Sequence, residues 1–233
     1  MNNFLTAQPS NTTLAEIALS RMKRAILSCE LSPGSKLKVD VLSKEYGLSS
    51  SPIREALNRL AQEGIVRASD NKGFRVAPIS IQEFQEISRL RSLLECEALS
   101  DAMDCGDDAW EGNVLAAFHR LSVLEKRLKT GPMMLNDDWS ERHKAFHFSL
   151  FSACPSSILL EMTNSLFDRA ERYRRYSALY REAPRNKNND HQALMKVALS
   201  RDKEKAIALL RKHINGTLEN VTEALERQKA ALQ

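Results

Sequence analysis

Between Gly47 and Gly64 the chain carries apolar Ile53, Ala56, Leu57 and Leu60 at helical spacing, with Arg54, Asn58 and Arg59 on the opposite face. That pattern restricts the N-terminal third to a helix with one face in a core and one basic face open. Ser51 is placed at the N-cap and Pro52 at the first helical position, where a missing N–H costs nothing. Upstream, Val41, Leu42 and Tyr46 mark a short amphipathic helix that runs into a Gly47-Leu48 turn. Downstream, Ile65-Val66-Arg67-Ala68 and Phe74-Arg75-Val76 flank Asp70-Asn71-Lys72-Gly73, which reads as a hairpin with a basic tip. Two helices around a glycine turn, followed by a hairpin, make a winged helix-turn-helix whose second helix can enter a major groove.

Charge agrees with that reading. Residues 1–77 hold 11 Lys and Arg against 7 Asp and Glu, whereas residues 78–233 balance at 23 against 23. The formal net charge of +4 therefore sits in the proposed DNA-binding third, as phosphate neutralisation requires. Ser49, Ser50, Ser51, Arg54, Asn58, Arg59, Lys72 and Gly73 are the expected DNA-binding residues.

The run "LSKEYGLSSSPIREALNRLAQEGIV…KGFRV", with Leu31-Ser32-Pro33-Gly34-Ser35-Lys36-Leu37 before it, resembles the N-terminal domain of GntR-family bacterial transcription regulators. The resemblance covers about residues 14–77. It implies sequence-specific binding to double-stranded DNA, with repression the commoner mode. Ser50 departs from the family pattern, which has Arg there, so the operator is expected to differ from those the Arg reads.

The remaining length is ample for a second compact domain, giving residues 1–77 and 78–233. The polar start has no signal-peptide pattern, and no apolar run is long enough to span a membrane. Cys29, Cys96, Cys105 and Cys154 form no Cys-x-x-Cys pair, which fits reduced thiols in the cytoplasm. Capping boxes at Thr13-Leu14-Ala15-Glu16 and Ser80-Ile81-Gln82-Glu83 open helices. Breaks at Gly106, Gly131-Pro132, Cys154-Pro155 and Pro184 divide the second domain into further helices, with no convincing strand. The expected fold is mainly α, a winged helix-turn-helix followed by an antiparallel helical bundle.

Four of the five histidines fall on apolar stripes of that bundle. His143 and His147, four apart, share a face with Phe146, Leu150 and Phe151. His191 accompanies Leu194, Met195 and Ala198, and His213 accompanies Leu209, Leu210 and Ile214. A lone inward histidine is more often a hydrogen-bonded core residue, but four buried imidazoles together need partners. A divalent transition metal, zinc or nickel first among them, satisfies all four. His119 has no paired neighbour and reads as structural.

The segment "HKAFHFSLFSACPSS…HQALMKVALSRDKEKAIALLRKH" resembles the FadR-type C-terminal ligand-binding (FCD) domain of the same regulators, over about residues 80–220. In that pattern Phe146-His147, His191 and His213 match the metal-binding positions, and His143 stands where an Asp is more usual. "GDDAWE" and "RYRRY" are similar to a branch that responds to small organic acids. The resemblance implies a small carboxylate effector beside the metal, a homodimer and a palindromic operator, with Arg91 as an effector-binding residue. A surface Arg91 paired with Glu95 at i+4 is an equally open reading of that position. A metal ion held only by imidazoles has no protein anion to offset it, which favours an incoming carboxylate. Arg169 and Arg172 are weaker effector candidates, and the Arg172–Tyr176 run reads as a helix with basic and apolar faces. Two rival readings are a metal-dependent hydrolase using the histidine cluster and an effector-independent architectural DNA-binding protein. Asp137, Asp138 and Glu141 lie off the buried stripe, which disfavours the hydrolase.

Overall fold

The computed structural model describes residues 12–69, 73–127, 137–180 and 188–231, which fall into two compact units dividing after Pro78. The first contains α1 (Leu14–Leu27), β1 (Lys36–Leu37), α2 (Val39–Tyr46), α3 (Ser50–Gln62), β2 (Val66–Ser69) and β3 (Gly73–Val76). The second contains α4 (Ile81–Cys105), α5 (Asp108–Arg127), α6 (Asp137–Phe151), α7 (Ser157–Ala178), α8 (Asn188–Leu199) and α9 (Lys203–Ala231).

Thr13 caps α1 through the full reciprocal box with Glu16, as its spacing requires. Met22 and Ile26 of α1, Leu42 of α2 and Ile53, Leu57 and Leu60 of α3 form the core of the first unit. Gly47 ends α2 in the left-handed region at φ 67°, a conformation that any Cβ strains. That turn lets α3 start three residues later. The cap of α3 is Ser49, not Ser51, so Pro52 lies in the third helical position. The shift is tolerated because none of the first four N–H groups of a helix has an intrahelical acceptor.

The hairpin forms as expected, with β2 and β3 antiparallel and Ser69 opposite Gly73. The tip, including Lys72, lies outside the described residues. A third strand escaped the sequence reading: β1 pairs with β3, giving the order β1-β3-β2. Two residues are too short a run to show a period.

In the second unit Phe146, Leu150, Trp110, Leu99, Leu121 and Leu210 anchor a helical core, and Phe84 stacks on Tyr173 at 4.7 Å in a smaller cluster. The second capping box is only half made. Ser80 accepts from the Glu83 N–H, but the Glu83 carboxylate turns to α7, taking Arg169 at 2.5 Å and the Tyr173 hydroxyl at 2.8 Å. Burial and the bond to Glu83 push the Tyr173 phenol up to about 12.

Arg172, Arg174 and Arg175 are buried, so the basic residues expected to form one face of α7 do not face solvent. Glu171 accepts from Arg174 Nε and Arg175 Nε, each at 2.9 Å, and from Ser140, while Arg175 also reaches Asp137 at 2.6 Å. Burial alone raises the Glu171 carboxyl, but Arg174, Ser140 and Arg175 outweigh it and the net shift is downward. A depressed carboxyl contributes stability above its ordinary 4.5 and loses it as pH falls through the folded value. Glu171→Gln should therefore flatten the acid limb of a stability–pH profile measured by thermal melting. A limb as steep as the wild type's would show that this carboxylate is not the group being titrated.

Candidate metal centre and nucleic-acid interface

On α3 the buried positions are Ile53, Ala56, Leu57 and Leu60, and Ser51, Arg54, Asn58 and Arg59 are exposed on the other face. Ser49, Ser50 and Gly73 are exposed as well. A groove of about 460 Å³ runs from the start of α3 to the start of β3, with Ser50, Arg54 and Gly73 among its walls. Lys36 and Lys38 line the same groove and were missed by the sequence reading. Leu37, tucked into the core between them, turns both outward. Their alternation spans too few residues to be recognised without β1.

The four histidines converge from three helices. His143 and His147 come from α6, His191 from α8 and His213 from α9, and one nitrogen from each lies within 4.8 Å of the others. The first three are buried and His213 is half-buried, lining a cleft of about 720 Å³ between α8 and α9. The i, i+4 spacing puts the α6 pair on one face, where their rings meet at 4.6 Å. Phe146 and Leu150 turn that face inward because they belong to the core.

Trp139, one turn earlier, stacks on His143 at 4.4 Å. Neither ring nitrogen of His143 has a hydrogen-bond partner among the described residues. Burial holds His143 well below its ordinary 6.5, with His147, Arg174, His191 and His213 adding to the effect. The ring is thus neutral, the form that ligates a metal. His119 is exposed and takes no part.

Around the cluster stand groups the sequence did not reveal. Glu125 of α5 places Oε1 3.2 Å from His191 Nδ1, and accepts from Trp139 Nε1 at 3.4 Å. No hydrogen bond is formed at that contact, so the carboxylate bears on His191 through its charge. It also supplies an anion one layer out, so the charge of a bound ion would not go wholly unanswered, contrary to expectation.

Arg91 is 2% exposed, and its Nε donates to Glu95 Oε1 at 2.6 Å, so the pair is buried, not on the surface. The Arg91 guanidinium lies 4.8 Å from the centre of the Phe167 ring, and that of Arg174 lies 4.4 Å from it. The same ring is 5.7 Å from His143 and 5.6 Å from His147. Two buried cations and the imidazole cluster therefore share one aromatic side chain. Glu95 Oε2, Ser88 Oγ and Thr163 Oγ1 are buried without a hydrogen-bond partner among the described residues, an arrangement that costs stability unless something else occupies them. By contrast Arg169 is committed to Glu83, and Asp138 to Arg142, away from the cluster.

The comparisons with known proteins place both units. Residues 14–76 match the model for bacterial regulatory proteins of the gntR family, and residues 86–216 match the FCD domain. The chain is 38% identical over 197 residues to the HTH-type transcriptional repressor GlaR of Escherichia coli, covering 83% of this chain and 89% of that protein. It is 35% identical over 206 residues to the HTH-type transcriptional regulator BphR of Paraburkholderia xenovorans, covering 88% and 84%. The solved structure of E. coli McbR/YncC shares the fold, with a TM-score of 0.75 at 19% identity over 91% of this chain and 98% of that one. Among the described residues no helix is long and apolar enough to cross a membrane. The chain is a DNA-binding transcription regulator, not an enzyme, and belongs to the gntR family, with an FCD domain as its helical unit.

Proposed function

We propose that this regulator is a cytoplasmic repressor whose operator affinity is set by a small carboxylate bound beside a divalent transition metal in the helical unit. The convergence of four imidazoles within 4.8 Å carries this reading. Three buried imidazoles and one half-buried, with the Glu125 carboxylate beside His191, fit zinc or nickel. His143, His147, His191 and His213 would hold the ion, which supplies a positive centre for a carboxylate. Arg91 and Arg174, on either helix beside Phe167, would meet a second carboxylate of the same molecule. Relatedness to a protein named a repressor supports the sign of regulation.

The control reaches the DNA-binding unit through α7. That helix presents Phe167 and Arg174 toward the cluster, and Arg169 and Tyr173 to Glu83 in the first turn of α4. Only Ile79 and Ser80 separate that turn from Pro78. A shift of α7 on ligand binding is thereby passed to the start of α4, and a coupling of about 1–3 kcal/mol is the usual scale for such control. The decisive experiment measures operator binding by anisotropy across a panel of small mono- and dicarboxylates, with and without chelator. An acid that weakens binding at least about fivefold only in metal-loaded protein is the expected result. Operator affinity indifferent to every acid tried in metal-loaded protein would overturn effector control and favour an architectural role.

At the DNA, a homodimer on a palindromic operator presents α3 of each copy to one half-site. Ser49, Ser50, Ser51, Arg54, Asn58, Arg59, Lys72 and Gly73 form the contact set, and Lys36 and Lys38 join it as phosphate-binding cations. Arg54→Ala should cost about 1–3 kcal/mol and relax specificity at one position of each half-site. Lys36→Ala and Lys38→Ala should instead weaken all sequences alike, each lowering the salt slope by about 1 per protomer. Filter binding that ranks operators identically for wild type and Arg54→Ala would show that Arg54 reads no base.

A further inference from the structure

Three glutamates are buried among the described residues, and two of them have cations of the chain's own. Glu95 is paired with Arg91 at 2.6 Å, and Glu171 accepts from Arg174 and Arg175, each at 2.9 Å. Glu125 is 7% exposed and meets neither lysine nor arginine among the described residues. Its Oε2 has no hydrogen-bond partner there, and Oε1 has only the long contact with Trp139 Nε1 and the 3.2 Å approach to His191 Nδ1. A carboxylate in an interior is strongly destabilising when no opposite charge answers it.

The ring that Glu125 meets neighbours each of the other three imidazoles. The centre of His191 lies 5.2 Å from that of His143, 5.6 Å from that of His147 and 5.1 Å from that of His213. Neither nitrogen of His191 or of His143 has a hydrogen-bond partner among the described residues. An uncompensated anion and uncommitted imidazoles thus lie side by side, and one divalent cation answers both. We propose that Glu125 is the counter-anion of the metal centre, setting the ion's affinity through its charge and leaving a divalent ion half neutralised for an incoming carboxylate. This rests on the metal reading above and names the residue that governs how tightly the ion is held.

Plainer roles do not account for the position. As an acceptor for the Trp139 indole, Glu125 uses one oxygen at 3.4 Å and leaves the other buried and unsatisfied. The cations next to it in sequence, Lys126 and Arg127, are exposed, and residues one or two apart on a helix do not face each other.

A counter-anion has a signature that an ordinary core residue lacks, because its charge acts with opposite signs in the two forms of the protein. Without the ion the buried carboxylate opposes folding, and with the ion it favours the bound state. Glu125→Gln keeps the shape and an acceptor for Trp139 while removing the charge. It should therefore raise the melting temperature of the stripped protein and lower that of the loaded one. At Glu95 or Glu171, where arginines already answer the charge, removing it should lower both.

The test uses the full-length protein, stripped with chelator and then titrated with Zn²⁺ or Ni²⁺ against a chromogenic competitor, with thermal melts of both forms. The Glu125→Gln variant should bind either ion at least about tenfold more weakly than wild type, the scale of losing a group that supports a ligand. Its stripped form should melt above stripped wild type. Glu97→Gln, which removes the same charge from the exposed face of α4, should change neither. A Glu125→Gln variant that binds the ion as tightly as wild type, or whose stripped form melts lower or does not fold, overturns the role of Glu125 while leaving the metal reading intact. A wild type that takes up neither ion overturns both.

Discussion

His147→Ala, or treatment with a chelator, is expected to strip the protein of about one transition ion per chain and to lower its stability by about 4 kcal/mol. That magnitude applies where free metal stands near a thousandfold above its dissociation constant, because an ion binding only the folded chain stabilises it by mass action. The four histidines come from three helices, so a bound ion would tie α6, α8 and α9 together and its loss would be felt through the whole unit. The exposed His119 provides the control, since His119→Ala should change neither metal content nor melting. Elemental analysis of chelator-free protein, paired with thermal melts, decides the matter. Metal-free protein of undiminished stability would mean that the four rings are ordinary core residues.

The second large effect is expected at Glu95. Its buried pair with Arg91 should cost about 3–5 kcal/mol to break by Glu95→Ala, because a guanidinium then stays in the interior without its counter-ion. Replacing both residues at once, Arg91→Met with Glu95→Leu, should recover most of that loss, since apolar pairs of similar volume substitute well for buried ion pairs. The recovered variant then separates two roles. If Arg91 serves the effector, the double variant melts near wild type and yet its operator affinity ignores the acid that controls the parent. A double variant with full stability and full response would remove Arg91 from the effector site.

Much of this architecture was legible from side-chain spacing. Ile53, Ala56, Leu57 and Leu60 specify the buried face of α3 because a helix repeats every 3.6 residues, and Arg54, Asn58 and Arg59 follow onto the other side. His143 and His147 declare a common face for the same reason. What periodicity does not carry is the meeting of residues far apart in sequence. Glu125, followed by Lys126 and Arg127, reads as the solvated end of a helix, and only the packing of α5 against α6 and α8 brings it to Trp139 and His191. Arg174 escaped notice for a similar reason. In a run of four arginines and two tyrosines from Arg169 to Tyr176, nothing local distinguishes the arginine beside Phe167 from those held by Glu83 or Asp137. The cap of α3 was misplaced by two residues because Ser49, Ser50 and Ser51 are chemically equivalent candidates, and the left-handed turn at Gly47 decides among them.

The unfinished capping box of α4 has a thermodynamic consequence. A helix that completes its own cap sets the opening energy of its first turn locally. Glu83 instead lends its carboxylate to Arg169 and Tyr173, so the fraying of residues 81–84 is governed by how firmly α7 is seated. Local opening free energy is read directly by amide hydrogen exchange. The peptide amides at the head of α4 therefore act as a built-in gauge, whose exchange rates slow or quicken with events at Phe167 without any change in the contacts that those amides make themselves.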